Sequence, residues 1–244
     1  MKRLSFITLL LAGLLCGKCM TMQAQTLKIG TNDSKTYYAP VYATWADKFY
    51  CSQILYSEGE LSKMKGSEIK KIMFFLRKAN TSGDYEHVQI RLKTVNYEVF
   101  ADKNYEPVDD AVLVFEGTLA ASQGTELEAA LTKSFVYPGG TLLVDVRKVE
   151  EGGGYAPSSG DAGRFQSTFN EGVYTVLYNY DKNALPTTAS QSANRPDIQF
   201  TFSEATGVEN VQTNKVQGTK VIENGILHLM YNGTKYNVQG GRVN

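Results

Sequence analysis

Histidine is almost missing from this chain, and cysteine and tryptophan are nearly so. His87 and His228 are the two histidines among 244 residues. A Ser-His-Asp arrangement would need one of them. His87 opens an alternating segment on its wet side, His228 lies near the C-terminus, and neither sits in the Gly-flanked turn or loop that positions a general base. Beyond the first 24 residues, which hold Cys16 and Cys19, no pair of His or Cys residues has zinc-ligand spacing. Long apolar runs are also lacking: apart from Leu4 to Leu15, no segment suggests a membrane span. Formal net charge is zero, with 25 basic and 25 acidic side chains and no basic cluster, which speaks against a nucleic-acid partner.

The apolar run at the N-terminus is too short to cross a bilayer as a stable helix and follows the basic pair Lys2-Arg3. It reads as a signal peptide over residues 1–24, with cleavage near Ala24 or Gln25. Leu15 before Cys16 and Lys18 before Cys19 are poor matches to a lipoprotein signal, which wants a small residue there. The expected destination is therefore export: extracellular, cell-surface or periplasmic. Removing Lys2, Arg3 and Lys18 with the leader leaves 22 basic against 25 acidic groups. Cys51 alone remains of the three cysteines, so no internal disulfide can form and a packed core must stabilise the fold. Its setting, Phe49-Tyr50-Cys51-Ser52-Gln53-Ile54, reads as a strand, where a free cysteine behaves as a small hydrophobe.

Residues 25–203 consist of short segments rich in Val, Ile, Tyr, Phe and Thr, separated by Gly, Asn, Asp or Pro. His87 to Thr94, Leu142 to Arg147 and Asp197 to Phe202 alternate strictly, as strands with one wet face do. Ile72 to Leu76 and Ala111 to Phe115 are apolar on both sides and read as central strands. Ser57 to Lys65 hints at one short helical turn. The pattern predicts an all-β domain, a jelly-roll-like β-sandwich. A polar, weakly patterned linker over 204–218 then leads to a C-terminal β-hairpin tail over 219–244. There Asn224-Gly225 and Asn232-Gly233 supply the φ > 0 conformers of tight hairpins, predicting a small β-meander through Lys220 to Glu223, Ile226 to Tyr231 and Lys235 to Val238.

Gly207-Val208-Glu209-Asn210-Val211, the two Asn-Gly turns and the closing Gly240-Gly241-Arg242-Val243 resemble the C-terminal tails of secreted Bacteroidetes proteins. Some of those tails are sorting signals for type IX secretion, and others are shortened forms. Within the main domain, Tyr50-Cys51-Ser52-Gln53-Ile54-Leu55-Tyr56 followed by Ile69-Lys70-Lys71-Ile72-Met73-Phe74 resembles the opening of a sandwich domain common in Bacteroidetes surface proteins. Phe135-Val136-Tyr137-Pro138-Gly139-Gly140-Thr141-Leu142-Leu143-Val144 is similar to a later hairpin of that group and Arg195-Pro196-Asp197-Ile198-Gln199-Phe200 to its final strand; the group is related in style to the cleaved-adhesin modules of gingipains and haemagglutinins. The resemblance spans about residues 36 to 203. It implies a fold and an adhesin-like role, and its motifs are strand patterns, not reactive groups. The Gly-rich stretch 150–163 departs from it.

Carboxylates are the remaining chemical resource. Glycosidase acids must face each other at defined separations, and Glu116, Asp145 and Glu150 are not distinguished from the rest by sequence. Asp109-Asp110, and Glu150-Glu151 before three glycines with Asp161 beyond, are loop oxygens of the kind structural calcium takes, without an Asp-x-Asp-x-Asp-Gly spacing. The same groups also serve as solvated turns. Aromatics are the stronger asset, with 15 tyrosines and Trp45. Tyr37, Tyr38 and Tyr105 fall in or beside loops, and Trp45 reads as a core plug near a turn. Tyr155, Asp161 and Arg164, followed by Tyr174, Tyr178 and Tyr180, combine flat rings with polar groups as a carbohydrate site requires. Tyrosine is equally a favoured strand residue. Sequons at Asn32, Asn80 and Asn232 signify little in a bacterial-looking chain.

The sequence therefore predicts a non-catalytic secreted or surface binding module, adhesin-like, taking a glycan or a host or surface protein through loop aromatics. The alternatives are a structural or assembly protein of the cell surface and, third, a glycoside hydrolase.

Overall fold

The computed structural model describes residues 24–204 and, nearer the C-terminus, 219–223, 226–231, 234–236 and 242–243. The expected leader as far as residue 23, with Cys16 and Cys19, residues 205–218 of the linker expected over 204–218, and both Asn-Gly turns lie outside the described residues. The chain divides into two compact units, with the boundary between Ala205 and Thr206.

The first unit is all-β. Its strands are β1 (Gln25–Ile29), β2 (Ser34–Thr36), β3 (Phe49–Tyr56), β4 (Ser67–Phe75), β5 (Tyr85–Val95), β6 (Val112–Leu119), β7 (Glu126–Val136), β8 (Thr141–Lys148), β9 (Phe165–Phe169), β10 (Val176–Asp181), β11 (Ser190–Ser192), β12 (Asn194–Pro196) and β13 (Ile198–Glu204). A four-stranded sheet runs β1-β13-β4-β7, a six-stranded sheet runs β11-β10-β3-β8-β5-β6, and β12-β9-β2 form a small third sheet. Every pairing between these strands is antiparallel. Counted in chain order, the long strands β1, β3, β4, β5, β6, β7, β8 and β13 place first, eighth, third and sixth in one sheet. Second, seventh, fourth and fifth lie side by side in the other. That is the doubled Greek key of a jelly roll, widened by β10 and β11 beside β3.

Period-two alternation builds the core between the sheets. Ile54 and Tyr56 of β3, Ile72 and Phe74 of β4, Ile90 and Leu92 of β5, Val144 and Val146 of β8, and Ile198 and Phe200 of β13 are buried in one cluster. The wet face expected for Leu142 to Arg147 is corrected here. β8 is buried on both sides, because residues 96–110 between β5 and β6 fold over the outside of the sheet. Leu55, Leu143 and Leu177 on that outer face pack with Phe100 and Ala189 as a second small core. Burying a side chain such as Phe100 contributes roughly 1.5–3 kcal/mol. Ala111 to Phe115 differs in the opposite way: β6 is an edge strand. Its inner residues are apolar because β7 of the facing sheet closes over it, with Thr132 Oγ1 donating to the Val114 carbonyl at 3.3 Å.

The expected helical turn is α1 (Glu58–Leu61), started by a reciprocal Ser57/Glu60 capping box. Glu60 also binds both ends of the Arg195 guanidinium, at 2.8 and 2.5 Å, tying the turn to β12. The second unit is a four-stranded antiparallel meander of β14 (Thr219–Glu223), β15 (Ile226–Tyr231), β16 (Thr234–Tyr236) and β17 (Arg242–Val243). Glu223 faces Ile226 and Tyr231 faces Thr234, so each of the first two connections is two residues long.

Candidate functional site

Because β10 and β11 widen one sheet, the inward face of β10 is met by the segment between β2 and β3. Tyr178 and Tyr180, two residues apart, share one face of β10. The opposing segment makes a 3-10 turn over Ala43–Trp45, closed by Trp45 N–H donating to the Tyr42 carbonyl at 2.9 Å. Residues three apart eclipse in such a turn, so Tyr42 and Trp45 both reach Tyr180. The result is a continuous row of half-buried rings. Trp45 lies parallel to Tyr180, centroids 5.2 Å apart, and Tyr180 meets Tyr42 at 4.6 Å. Tyr42 approaches Tyr178 at 5.9 Å, and Tyr178 stacks on Tyr38 at 4.3 Å. Tyr38 then contacts Tyr37 at 4.2 Å, where the Arg164 guanidinium lies 4.2 Å from the ring centroid. At the other end the Lys182 ammonium stands 5.3 Å from the Trp45 ring.

Three phenols of this row, Tyr38, Tyr42 and Tyr178, are held protonated. Tyr38 is raised first by the hydrogen bond its hydroxyl donates to the Tyr37 hydroxyl at 2.9 Å, then by burial. Burial, with neighbouring phenols, pushes Tyr42 up to about 12 and raises Tyr178. Protonated hydroxyls donate as well as accept, and ring faces offer a C–H-binding surface beside them.

The residues singled out by sequence distribute around this row. Tyr178 and Tyr180 belong to it. Arg164 is buried, its guanidinium donating to Thr44 Oγ1 at 3.3 Å and the Pro157 carbonyl at 2.9 Å, so it positions Tyr37 and the 155–160 loop. Tyr155 is 54% exposed, in a loop held to the 3-10 turn by Ala156 N–H donating to the Ala43 carbonyl at 2.6 Å. Asp161 is paired with Lys35 at 2.7 Å, and that contact holds its carboxyl below the usual range. Tyr174 belongs to a different loop, its carbonyl accepting from Phe100 N–H at 2.9 Å. Tyr42 and Trp45 were missed as partners, and Trp45 is no core plug: it is half-buried at the end of the row. Spacing of three beside a β-segment was the available signal.

The acids are dispersed. Glu116 binds Gln89 at 2.7 Å, and Glu150 lies 3.5 Å from His87. Asp145 is fully buried under the 96–110 cover, gripped by Arg147 Nε at 2.8 Å and by Gln53 Nε2 at 3.0 Å. Asp110 and Glu106 line a cavity of about 430 Å³ with Thr94, Asn96 and Tyr97. The Lys93 ammonium bridges them at 2.8 and 3.0 Å. Lys93 holds Asp110 below the ordinary carboxylate range, which suits a fixed anion and ill suits a glycosidase acid. Glu151 lies 3.6 Å from Lys48. Among the described residues no group of three or more His, Cys, Asp or Glu side chains is gathered for a metal ion, and no helix is long and apolar enough to cross a membrane.

No protein-family model, no curated protein and no solved structure matches this chain.

Proposed function

We propose that the protein is a non-catalytic binding module of the exported, adhesin-like kind, and that the row from Trp45 to Tyr37 takes a carbohydrate. One observation carries the reading: six aromatic side chains from two separate segments form an unbroken row at the margin of the sandwich, partly open to solvent. Sugar rings present C–H faces that stack on such surfaces, while their hydroxyls pair with phenols and with Thr44 and Lys182 nearby. Mostly apolar linings with a few oriented polar groups are the usual makeup of ligand sites. A glycan array on the full chain tests this. Binding to a defined set of oligosaccharides, reduced about tenfold or more by Tyr180→Ala and by Tyr178→Ala, supports the reading. An array without binding, or binding indifferent to both substitutions, overturns it.

A further inference from the structure

Six large hydrophobic side chains stand in solvent among the described residues; three of them belong to two loops that meet, and a fourth, Phe169, ends β9 where one of those loops begins. Val99 in the cover over the six-stranded sheet is 47% exposed; Phe169, Val173 and Tyr174 around the β9–β10 connection are 51%, 39% and 43% exposed. The loops are joined by Phe100 N–H donating to the Tyr174 carbonyl at 2.9 Å, and Val173 N–H donates to the Asn170 carbonyl at 3.1 Å to close the turn beyond Phe169. Gln191 Nε2 donates to the carbonyls of Phe100 and Asp102 at 2.9 and 3.1 Å, fixing the cover from its other side. Phe100 itself turns inward, 6% exposed, so the cover has its own apolar anchor and the outward residues are not needed to hold it. Grouped exposed apolar side chains on a hydrogen-bonded frame mark an interaction surface.

The charge around this tip is one-sided. Glu98 adjoins Val99 and Glu171 lies in the turn, and neither has a hydrogen-bond or ion-pair partner among the described residues. Asp33 Oδ1 accepts from Phe169 N–H at 3.0 Å, and Asp102 Oδ1 from Asn104 N–H at 2.8 Å. Lys103 is the one cation in residues 98–104 and 169–175. A negative rim repels anionic lipid and polynucleotide, and a two-fold contact between copies would set carboxylates against carboxylates.

We propose that this tip docks a protein partner presenting apolar residues flanked by lysine or arginine. The proposal stands apart from the aromatic row, and it gives Tyr174 a role outside the sugar site. It is tested with the full chain against labelled peptides whose apolar centres are flanked by lysines, serines or glutamates, and against phosphatidylcholine vesicles with and without phosphatidylglycerol. Lysine-flanked peptides are expected to bind, about tenfold or more tightly than glutamate-flanked ones, with affinity falling as salt rises. Val173→Asp with Tyr174→Ser abolishes binding at an unchanged melting temperature, Glu98→Lys with Glu171→Lys reverses the flank preference, and Tyr180→Ala leaves binding intact. Absence of peptide binding, indifference to the flanks, or vesicle binding or self-association that Val173→Asp abolishes would each overturn the proposal.

Discussion

Lys148 ends β8 with its side chain directed into the sandwich, fully buried, and its ammonium donates to the Glu86 carbonyl at 2.7 Å. Burial is the main cause that lowers its pKa to about 8. A lowered lysine pKa means the unfolded chain binds more protons than the folded one above that value. Stability therefore rises with pH between about 8 and 10, as the cost of a buried ammonium is relieved. Lys148→Met should remove that slope and stabilise the fold at neutral pH by on the order of 3 kcal/mol, measured by urea unfolding across this range; an unchanged slope would show that another group titrates. Cys51 makes a companion case. Burial raises its thiol well above the ordinary value, beside Asp145. Iodoacetamide should leave it unmodified in the folded protein and alkylate it promptly in denaturant, with mass spectrometry as the readout. Its burial was readable from its strand setting, Phe49 to Tyr56, where a free cysteine behaves as a small hydrophobe. The isolation of Lys148 was not, because it depends on which loops close the end of the sandwich.

Among the elements, the 96–110 cover most changes what sequence suggested. Gln53 clamps it at two points: its Nε2 donates to the Glu106 carbonyl at 2.8 Å, and its Oε1 accepts from Glu106 N–H at 2.8 Å. Tyr105 adds a hydroxyl donation to the Cys51 carbonyl at 3.0 Å. Gln53→Ala should cost about 3 kcal/mol, three net hydrogen bonds with the one to Asp145 included, and speed amide exchange at Glu106 more than in the central strands. Uniform loss of protection would mean that the cover does not open separately. Strand-rich character and the short capped helix were readable because they rest on local spacing. The burial of β8 on both faces was not, since nothing in Leu142 to Arg147 reveals that a distant segment covers its polar side. The aromatic row was half readable. Tyr178 and Tyr180 stand out by alternation on one strand, but their partners Tyr42 and Trp45 come from a loop whose 3-10 turn aligns them, and Arg164 and Tyr174 look alike in sequence while one is buried and the other exposed.

For the molecule as a whole, every described strand pairs within its own unit: the three sheets of the first are built from strands between Gln25 and Glu204, and the one sheet of the second from strands between Thr219 and Val243. Deleting residues 206–244 should therefore shift the melting temperature of the first unit by less than about 2 °C, under 1 kcal/mol; a larger loss would make the second unit part of the same cooperative fold. The proposed activity follows from the jelly-roll order with its extra strands, since the added β10 is what brings two tyrosines against the Tyr37 to Trp45 segment. Trp45 is the only tryptophan in the chain and stacks on Tyr180, so its emission reports on the row directly. The decisive measurement is titration of that emission, with acrylamide quenching, against oligosaccharides. A saturable change with Trp45 shielded from acrylamide is expected, lost in Tyr180→Ala. Saccharide binding that leaves Trp45 emission and quenching unchanged, or no saccharide that alters them, would contradict it.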